Sequence, residues 1–239
     1  MAWTITPRRR VQRPEFAYWP LAAPFLLAAG FIVLLLGAFL LVGLFSYALA
    51  RLGISPSTAS LVLIACLIGS AVNIPVARLR GRAAAKEQYI SVFGLRYYVP
   101  VVRKRVTVLA VNLGGAVIPA ALSAYLIAHD HLGLAALAAV ALVAALVHLV
   151  ARPVPGLGIA VPAVLPGLFA VLAAAAFHPV AIAALAYVGG TLGTLIGADL
   201  ANLGKVRKLG APVASIGGAG TFDGIFIAGI TAVLLAALV

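Results

Sequence analysis

Two aspartates near the end of the chain, Asp199 and Asp223, are the residues that most need a chemical explanation. They are two of only five acidic residues in the 239-residue sequence, and each lies in a stretch that is otherwise apolar. No Lys or Arg lies deep in these stretches to neutralise them. An ionisable side chain inside a membrane costs about 3 kcal/mol or more and usually serves a function. We therefore take both aspartates as candidate functional residues.

Two carboxyl groups that face each other cannot both ionise cheaply, so they tend to share one proton. The ionised group can deprotonate a water molecule while the protonated group polarises a carbonyl, a combination that hydrolyses peptides without a metal ion or other cofactor. The same pair can instead bind protons or Na⁺ in a coupled transporter or channel, with Asn73 and Asn112 as further ligands. The two aspartates by themselves leave both uses open.

The elements that must position the aspartates are membrane helices. Hydrophobic residues make up 64% of the chain and charged residues 9%, which predicts one all-α transmembrane domain over residues 1–239. Apolar runs long enough to cross a hydrocarbon core of roughly 30 Å recur along the chain. We predict about seven transmembrane helices, at approximately 20–50, 56–77, 106–128, 132–151, 156–177, 179–203 and 213–238.

The basic residues predict the orientation of these helices. The sequence contains 17 Lys and Arg residues, and with a cytoplasmic N-terminus all except Arg51 fall on the cytoplasmic side, which is 16 against 1. This distribution predicts a multi-pass plasma-membrane protein with its N-terminus inside and its C-terminus outside. Membrane lipids are its expected partners. Because topology accounts for the net charge of +12, we expect no nucleic-acid partner.

The same topology places Asp199 and Asp223 on neighbouring antiparallel helices, in the cytoplasmic half of the bilayer. Polar and helix-breaking residues collect at that depth, where irregular backbone is tolerated only against protein or water. We predict a hydrated pocket there that is open to the cytoplasm. Its candidate binding residues are Asn73, Asn112, Pro162, Gly217, Gly218 and Gly220. The two asparagines have a simpler alternative, which is to hydrogen-bond each other or a freed backbone carbonyl.

The segments around the aspartates resemble a known protease family. Asp199-Leu200 and Gly220-Thr221-Phe222-Asp223-Gly224 are similar to the two aspartate motifs of presenilin and signal peptide peptidase, although Ala198 and Phe222 replace a Tyr and a Gly of the family pattern. The segment 162–166 resembles the Pro-Ala-Leu motif of that family. The resemblance implies an intramembrane aspartyl protease that cleaves a transmembrane or membrane-associated polypeptide. It implies that Asp199 and Asp223 are catalytic, and that the substrate is held by Pro162, Ala163, Leu165, Gly217, Gly218, Gly220 and Thr221.

The chain as a whole resembles an uncharacterised family of prokaryotic multi-pass membrane proteins. Two segments carry the resemblance, 191–200 and 217–224, and each of them contains one of the aspartates. That family has no known function, so the resemblance implies no activity.

Three further features have open interpretations. The basic cytoplasmic loop 78–105 contains aromatic and β-branched residues around Gly94, which favour a short hairpin, a gate or an amphipathic segment that rests on lipid headgroups. Tyr97 and Tyr98 of this loop are positioned to add a strand to a bound substrate. The triplet 129–131, His-Asp-His, indicates either a solvated turn or a metal site. Gly189, Gly193 and Gly197 form a stripe that is typical of a close helix–helix contact.

Overall fold

The computed structural model describes residues 19–80, 88–92, 95–99, 106–154, 158–162, 164–206, 213–218 and 224–238. The chain divides into two compact units, Met1–Leu44 and Phe45–Val239. The described part of the first unit belongs to helix α1, which extends over Trp19–Ala50 and continues into the second unit. All later elements, and the candidate site, belong to the second unit.

Helices make up most of the described part of the second unit. Ser55 caps the helix Pro56–Gly69, because its Oγ accepts a hydrogen bond from the amide of Thr58 at 3.3 Å. Pro56 occupies the first position of this helix. The helices that follow α1 are α2 (Pro56–Gly69), α3 (Ile118–His129), α4 (Gly133–Val150), α5 (Leu165–Phe177), α6 (Ile182–Thr194), α7 (Leu203–Val206) and α8 (Gly224–Ala236).

Short irregular helical turns precede or extend three of these helices. The π-helix Leu113–Val117 leads into α3, and the 3₁₀ turn Pro179–Ala181 leads into α6. At its other end α6 continues through a second π-helix, Leu195–Asp199, and a 3₁₀ turn, Leu200–Asn202, into α7. Asp199 therefore lies where the regular helix is interrupted.

In the described part of the chain, three helical stretches are long and apolar enough to cross a membrane, namely Leu26–Ala50, Gly133–Val150 and Ile182–Val206. Four further apolar helical stretches are shorter, and they are Pro56–Gly69, Leu113–His129, Leu165–Phe177 and Gly224–Ala236. The prediction of seven membrane-length helices was therefore wrong for the described residues. Four of the predicted helices are helical over only part of their length, because the chain becomes extended next to the helix.

The all-α prediction was also wrong, because these extended segments form β-structure. Strands β1 (Asn73–Arg80), β4 (Val106–Asn112) and β7 (Val213–Ile216) form a sheet with β4 in the middle. β1 is antiparallel to β4, with Asn73 opposite Asn112, and β7 is parallel to β4, with Val108 opposite Val213. Apolar runs of four to eight residues fit a buried strand as well as a helix, so the hydrophobic pattern alone did not separate the two.

Two hairpins complete the β-structure of the described residues. β2 (Gln88–Val92) pairs antiparallel with β3 (Leu95–Val99), which confirms the hairpin interpretation for part of loop 78–105. Contact of this loop with lipid headgroups or with a substrate remains a prediction. β5 (Arg152–Val154) pairs antiparallel with β6 (Gly158–Ala160) between α4 and α5.

Helix α6 is the centre of the core, since it packs against α3, α4, α5 and α8. The glycine stripe makes this close packing possible and is confirmed as a helix contact. A Cβ atom at Gly193 would lie 2.7 Å from the Cβ of Val143, and one at Gly197 would overlap the backbone carbonyl oxygen of Ala144. Because the glycines on this face of α6 have no side chains, α6 can approach the backbone of α4 directly.

Candidate functional site

Asp199 is positioned by the π-helix at the end of α6. A π-helix widens the backbone and leaves carbonyl groups without their usual helical donors, and such turns are frequent at functional sites. Here the side-chain amide of Asn202 donates to the carbonyl oxygens of Gly197 at 3.0 Å and Ala198 at 2.9 Å. Asn202 is fully buried. Its amide therefore stabilises the irregular turn that carries Asp199.

His148 on α4 joins this arrangement from the neighbouring helix. Its Nδ1 lies 3.2 Å from the Asn202 Nδ2 and 3.3 Å from the carbonyl oxygen of Gly197. The sequence did not single out Asn202 as part of the site. The signal that could have found Asn202 was its position, since it is an amide in an apolar run three residues after Asp199.

The carboxylate of Asp199 holds the chain segment that leads to the second aspartate. The amide of Gly217 donates to Asp199 Oδ2 at 2.7 Å. Gly217 has a φ of 91°, and a Cβ atom at this position would lie 2.6 Å from the Cβ of Ala116. Only glycine fits both the left-handed backbone conformation and the close contact. The structure thus brings Gly217, a predicted site residue, directly to Asp199.

Asp223, Gly220 and Thr221 lie outside the described residues. Gly218 is the last described residue before them, and α8 begins at Gly224, immediately after Asp223. The pairing of the two aspartates therefore remains a prediction.

Asp199 faces a cavity of about 310 Å³. One wall consists of Asp199, Leu203 and Val206 from the end of the α6–α7 stretch. The remaining walls come from extended segments, namely Leu109 of β4, Gly158 and Ile159 of β6, all four residues of β7, and Gly218. Among the described residues, the lining therefore combines one carboxylate with mostly apolar side chains, and strands from three different helix connections meet around it.

Asn73 and Asn112 hydrogen-bond each other, as the simpler interpretation proposed. The Asn112 amide nitrogen donates to Asn73 Oδ1 at 3.2 Å and to the carbonyl oxygen of Ser70 at 2.8 Å, while its Oδ1 accepts from the amide of Gly115 at 2.8 Å. Asn73 Oδ1 also accepts a hydrogen bond from the Ser215 hydroxyl at 2.5 Å. Ser215 lines the cavity and thus connects the asparagine pair to it.

Pro162 and Leu165, two further predicted site residues, do not line the cavity. Pro162 is partly buried and follows β6 by two residues, and its carbonyl oxygen accepts from the amide of Leu165 at 3.3 Å at the start of α5. Ala163 lies outside the described residues. The cavity wall near this segment is formed instead by Gly158 and Ile159, which the sequence did not indicate.

Replacement of Asn112 by alanine is expected to destabilise the protein by about 2–3 kcal/mol, because it removes the side-chain acceptor of the buried Gly115 amide and the side-chain donor to the part-buried Ser70 carbonyl. Asn112 is 1% exposed, whereas Asn73 is exposed to solvent or lipid. Asn73→Ala is the matched control and should cost about 1 kcal/mol or less. Thermal unfolding of both variants in detergent measures the difference. Equal melting temperatures would show that the Asn112 hydrogen bonds are not structural.

The fold and the site define a mostly helical protein that has apolar helices of membrane-crossing length and a carboxylate at a strand-lined cavity. The chain belongs to the family described as protein of unknown function (DUF1614), which matches residues 67–235. The match includes both aspartates and every described residue of the cavity. No curated protein and no solved structure matches the chain. The expectation of a family of unknown function is confirmed.

Proposed function

We propose that the protein is an intramembrane aspartyl protease that cleaves a transmembrane or membrane-associated polypeptide with Asp199 and Asp223. The observation that carries the proposal is the hydrogen bond from the Gly217 amide to the Asp199 carboxylate at 2.7 Å. This hydrogen bond holds Gly217 beside Asp199, at the wall of a cavity. Asp223 follows Gly217 by six residues along the chain. The resemblance of the two aspartate motifs to presenilin and signal peptide peptidase supports the same assignment.

The proposed enzyme crosses the plasma membrane seven times, with its N-terminus in the cytoplasm. A 14-residue helix such as α2 extends only about 21 Å, but a strand adds about 3.3 Å for each residue. The shorter helices together with their adjoining strands can therefore cover a hydrocarbon core of about 30 Å. Of these strands, β4 is mostly buried, and residues of β6 and β7 line the cavity, as backbone at membrane depth requires. The distribution of Lys and Arg supports this orientation.

The proposed reaction uses the two carboxyl groups as base and acid. The ionised carboxylate removes a proton from a water molecule as the water oxygen bonds to the peptide carbonyl carbon. The protonated carboxyl donates its hydrogen bond to the carbonyl oxygen, which gains charge in the transition state. The C–N bond then breaks as the leaving nitrogen takes up the proton that the base removed from water, so this carboxylate is ionised again and the other carboxyl group still holds its proton. The products are a carboxylic acid, which ionises at neutral pH, and an amine.

Strand β7 is the proposed platform for the substrate. All four of its residues line the cavity of Asp199, and in the described part of the chain it pairs with a strand, β4, on one side only. A peptide bond must be extended to be hydrolysed, and main-chain hydrogen bonds to a strand hold a peptide in that form. We expect β7 to hold the substrate more directly than the segment around Pro162, because Pro162 does not line the cavity.

Proteolysis can be tested with the purified protein in liposomes, a set of transmembrane peptides and water enriched in ¹⁸O. We expect mass spectrometry to find new C-termini that carry one ¹⁸O atom from the attacking water. Intact peptides after prolonged incubation would contradict the proposal. Cation uptake by the same liposomes without any cleavage would support the transporter or channel alternative instead.

A further inference from the structure

A second cavity, of about 690 Å³, lies at the other end of α6 from Asp199. Arg51, Asp130 and Ile182 line it. Arg51 directly follows the candidate span Leu26–Ala50, Asp130 precedes Gly133–Val150 by three residues, and Ile182 begins Ile182–Val206. All three membrane-length helices therefore have an end at this cavity. If they cross the membrane, the cavity lies at the depth of the lipid headgroups.

The cavity contains a positive and a negative group that do not neutralise each other. The one close contact of Asp130 with a basic side chain among the described residues is its 2.8 Å hydrogen bond with His129 Nδ1, which is an ion pair only when the imidazole is protonated, and Arg51 takes no part in it. The side chain of Asp130 is 25% exposed, and Arg51 is exposed. Both charges are therefore accessible to a ligand that itself carries one charge of each sign.

We propose that this cavity binds the headgroup of phosphatidylethanolamine. The guanidinium of Arg51 can donate two parallel hydrogen bonds to the phosphate, which is the geometry that arginine prefers. The carboxylate of Asp130 can accept a hydrogen bond from the primary ammonium. Val180, which lines the cavity and is 93% exposed, provides an apolar surface for the start of the acyl chains. The proposal depends on the membrane topology but not on proteolytic activity.

The chemistry distinguishes phosphatidylethanolamine from the other common phospholipids. The quaternary ammonium of phosphatidylcholine has no N–H group for Asp130, and phosphatidylglycerol has no cation at all. Asp130 should therefore confer preference among lipids, whereas Arg51 should contribute to the binding of every phospholipid. His129, beside Asp130, keeps that carboxylate oriented through the 2.8 Å contact.

Native mass spectrometry of the full-length protein, released from nanodiscs with equal amounts of the three lipids, tests the proposal. We expect about tenfold preference of the wild-type protein for phosphatidylethanolamine over phosphatidylcholine, equivalent to about 1.4 kcal/mol. Asp130→Asn should remove that preference and Asp130→Glu should retain it, while Arg51→Gln should weaken the binding of all three lipids. Arg152→Gln, at an exposed arginine outside both the cavity and the loop 78–105, is the control and should leave binding unchanged.

Equal binding of the three lipids to the wild-type protein would overturn the proposal, and so would an unchanged preference in Asp130→Asn. Melting temperatures close to that of the wild type would show that the variants are folded, which is expected because both positions lie in short turns between helices. Free phosphoethanolamine carries the same two charges without acyl chains. Displacement of the lipid by millimolar phosphoethanolamine would show a site for a soluble zwitterion and overturn the lipid assignment, whereas persistence of the bound lipid would support it.

Discussion

Asp199→Asn and Asp223→Asn are each expected to reduce the cleavage of a transmembrane peptide by at least about a thousandfold, because neither amide can exchange the proton that the reaction requires. The losses of cleavage rate should not add when the two substitutions are combined, because the carboxyl groups act as one unit. Cleavage rates of the single and double variants in liposomes, measured by mass spectrometry, give the comparison.

The asparagine variants separate chemistry from folding. An asparagine at position 199 retains a side-chain oxygen that can accept the hydrogen bond from the Gly217 amide, which Asp199 accepts at 2.7 Å. The melting temperature should therefore stay close to that of the wild type while the activity is lost. Asp130→Asn makes the same chemical change in the cavity at the other end of α6 and should retain full activity. Retained cleavage in either Asp199→Asn or Asp223→Asn would rule out an aspartyl mechanism.

The sequence predicted the helices where apolar periodicity was long and uninterrupted. Helices α1 and α4 agree with the predicted spans to within one residue at each end, because no competing element interrupts the apolar run. The segment 106–128 instead begins as strand β4 and becomes regular helix only at Ile118. Its residues are as compatible with a strand as with a helix, and the partners that decide the matter, β1 and β7, are distant along the chain. Pairing of this kind is a tertiary effect, which a local pattern does not contain.

The candidate site was predictable in part, for a similar reason. Asp199 was identified from its charge alone, since an aspartate in an apolar run has few structural explanations. Its partner Gly217 was identified as one of several glycines before Asp223, but its hydrogen bond to Asp199 depends on a turn between two elements. The support from Asn202 depends on the π-helix, whose freed carbonyl groups have no signature in the sequence. The sequence therefore identified residues of the site, but the hydrogen bonds of Gly217 and Asn202 depend on backbone geometry and could not be predicted from it.

The close contact between α6 and α4 should make Gly197→Ala one of the most destabilising small substitutions in the protein, with an expected loss of about 3 kcal/mol. A Cβ atom at this position would overlap the backbone carbonyl oxygen of Ala144 on α4, which cannot rotate away as a side chain can. Relief of the overlap requires the π-helix to move, and Asp199 lies two residues further along it. We therefore expect Gly197→Ala to lower both the melting temperature and the rate of peptide cleavage.

Gly204→Ala is the matched control, because it makes the same change on the same helical stretch and its Cβ atom would meet no other atom within 4 Å. Alanine favours a helix over glycine by about 1 kcal/mol, so this variant should melt at the wild-type temperature or slightly above it. The two variants make the same glycine-to-alanine change but are expected to shift the melting temperature in opposite directions. The comparison therefore separates the effect of helix propensity from the effect of packing. If Gly197→Ala had the same melting temperature as Gly204→Ala instead of a lower one, α6 would have room to move away from α4. The glycine stripe would then not be what positions Asp199 at its cavity.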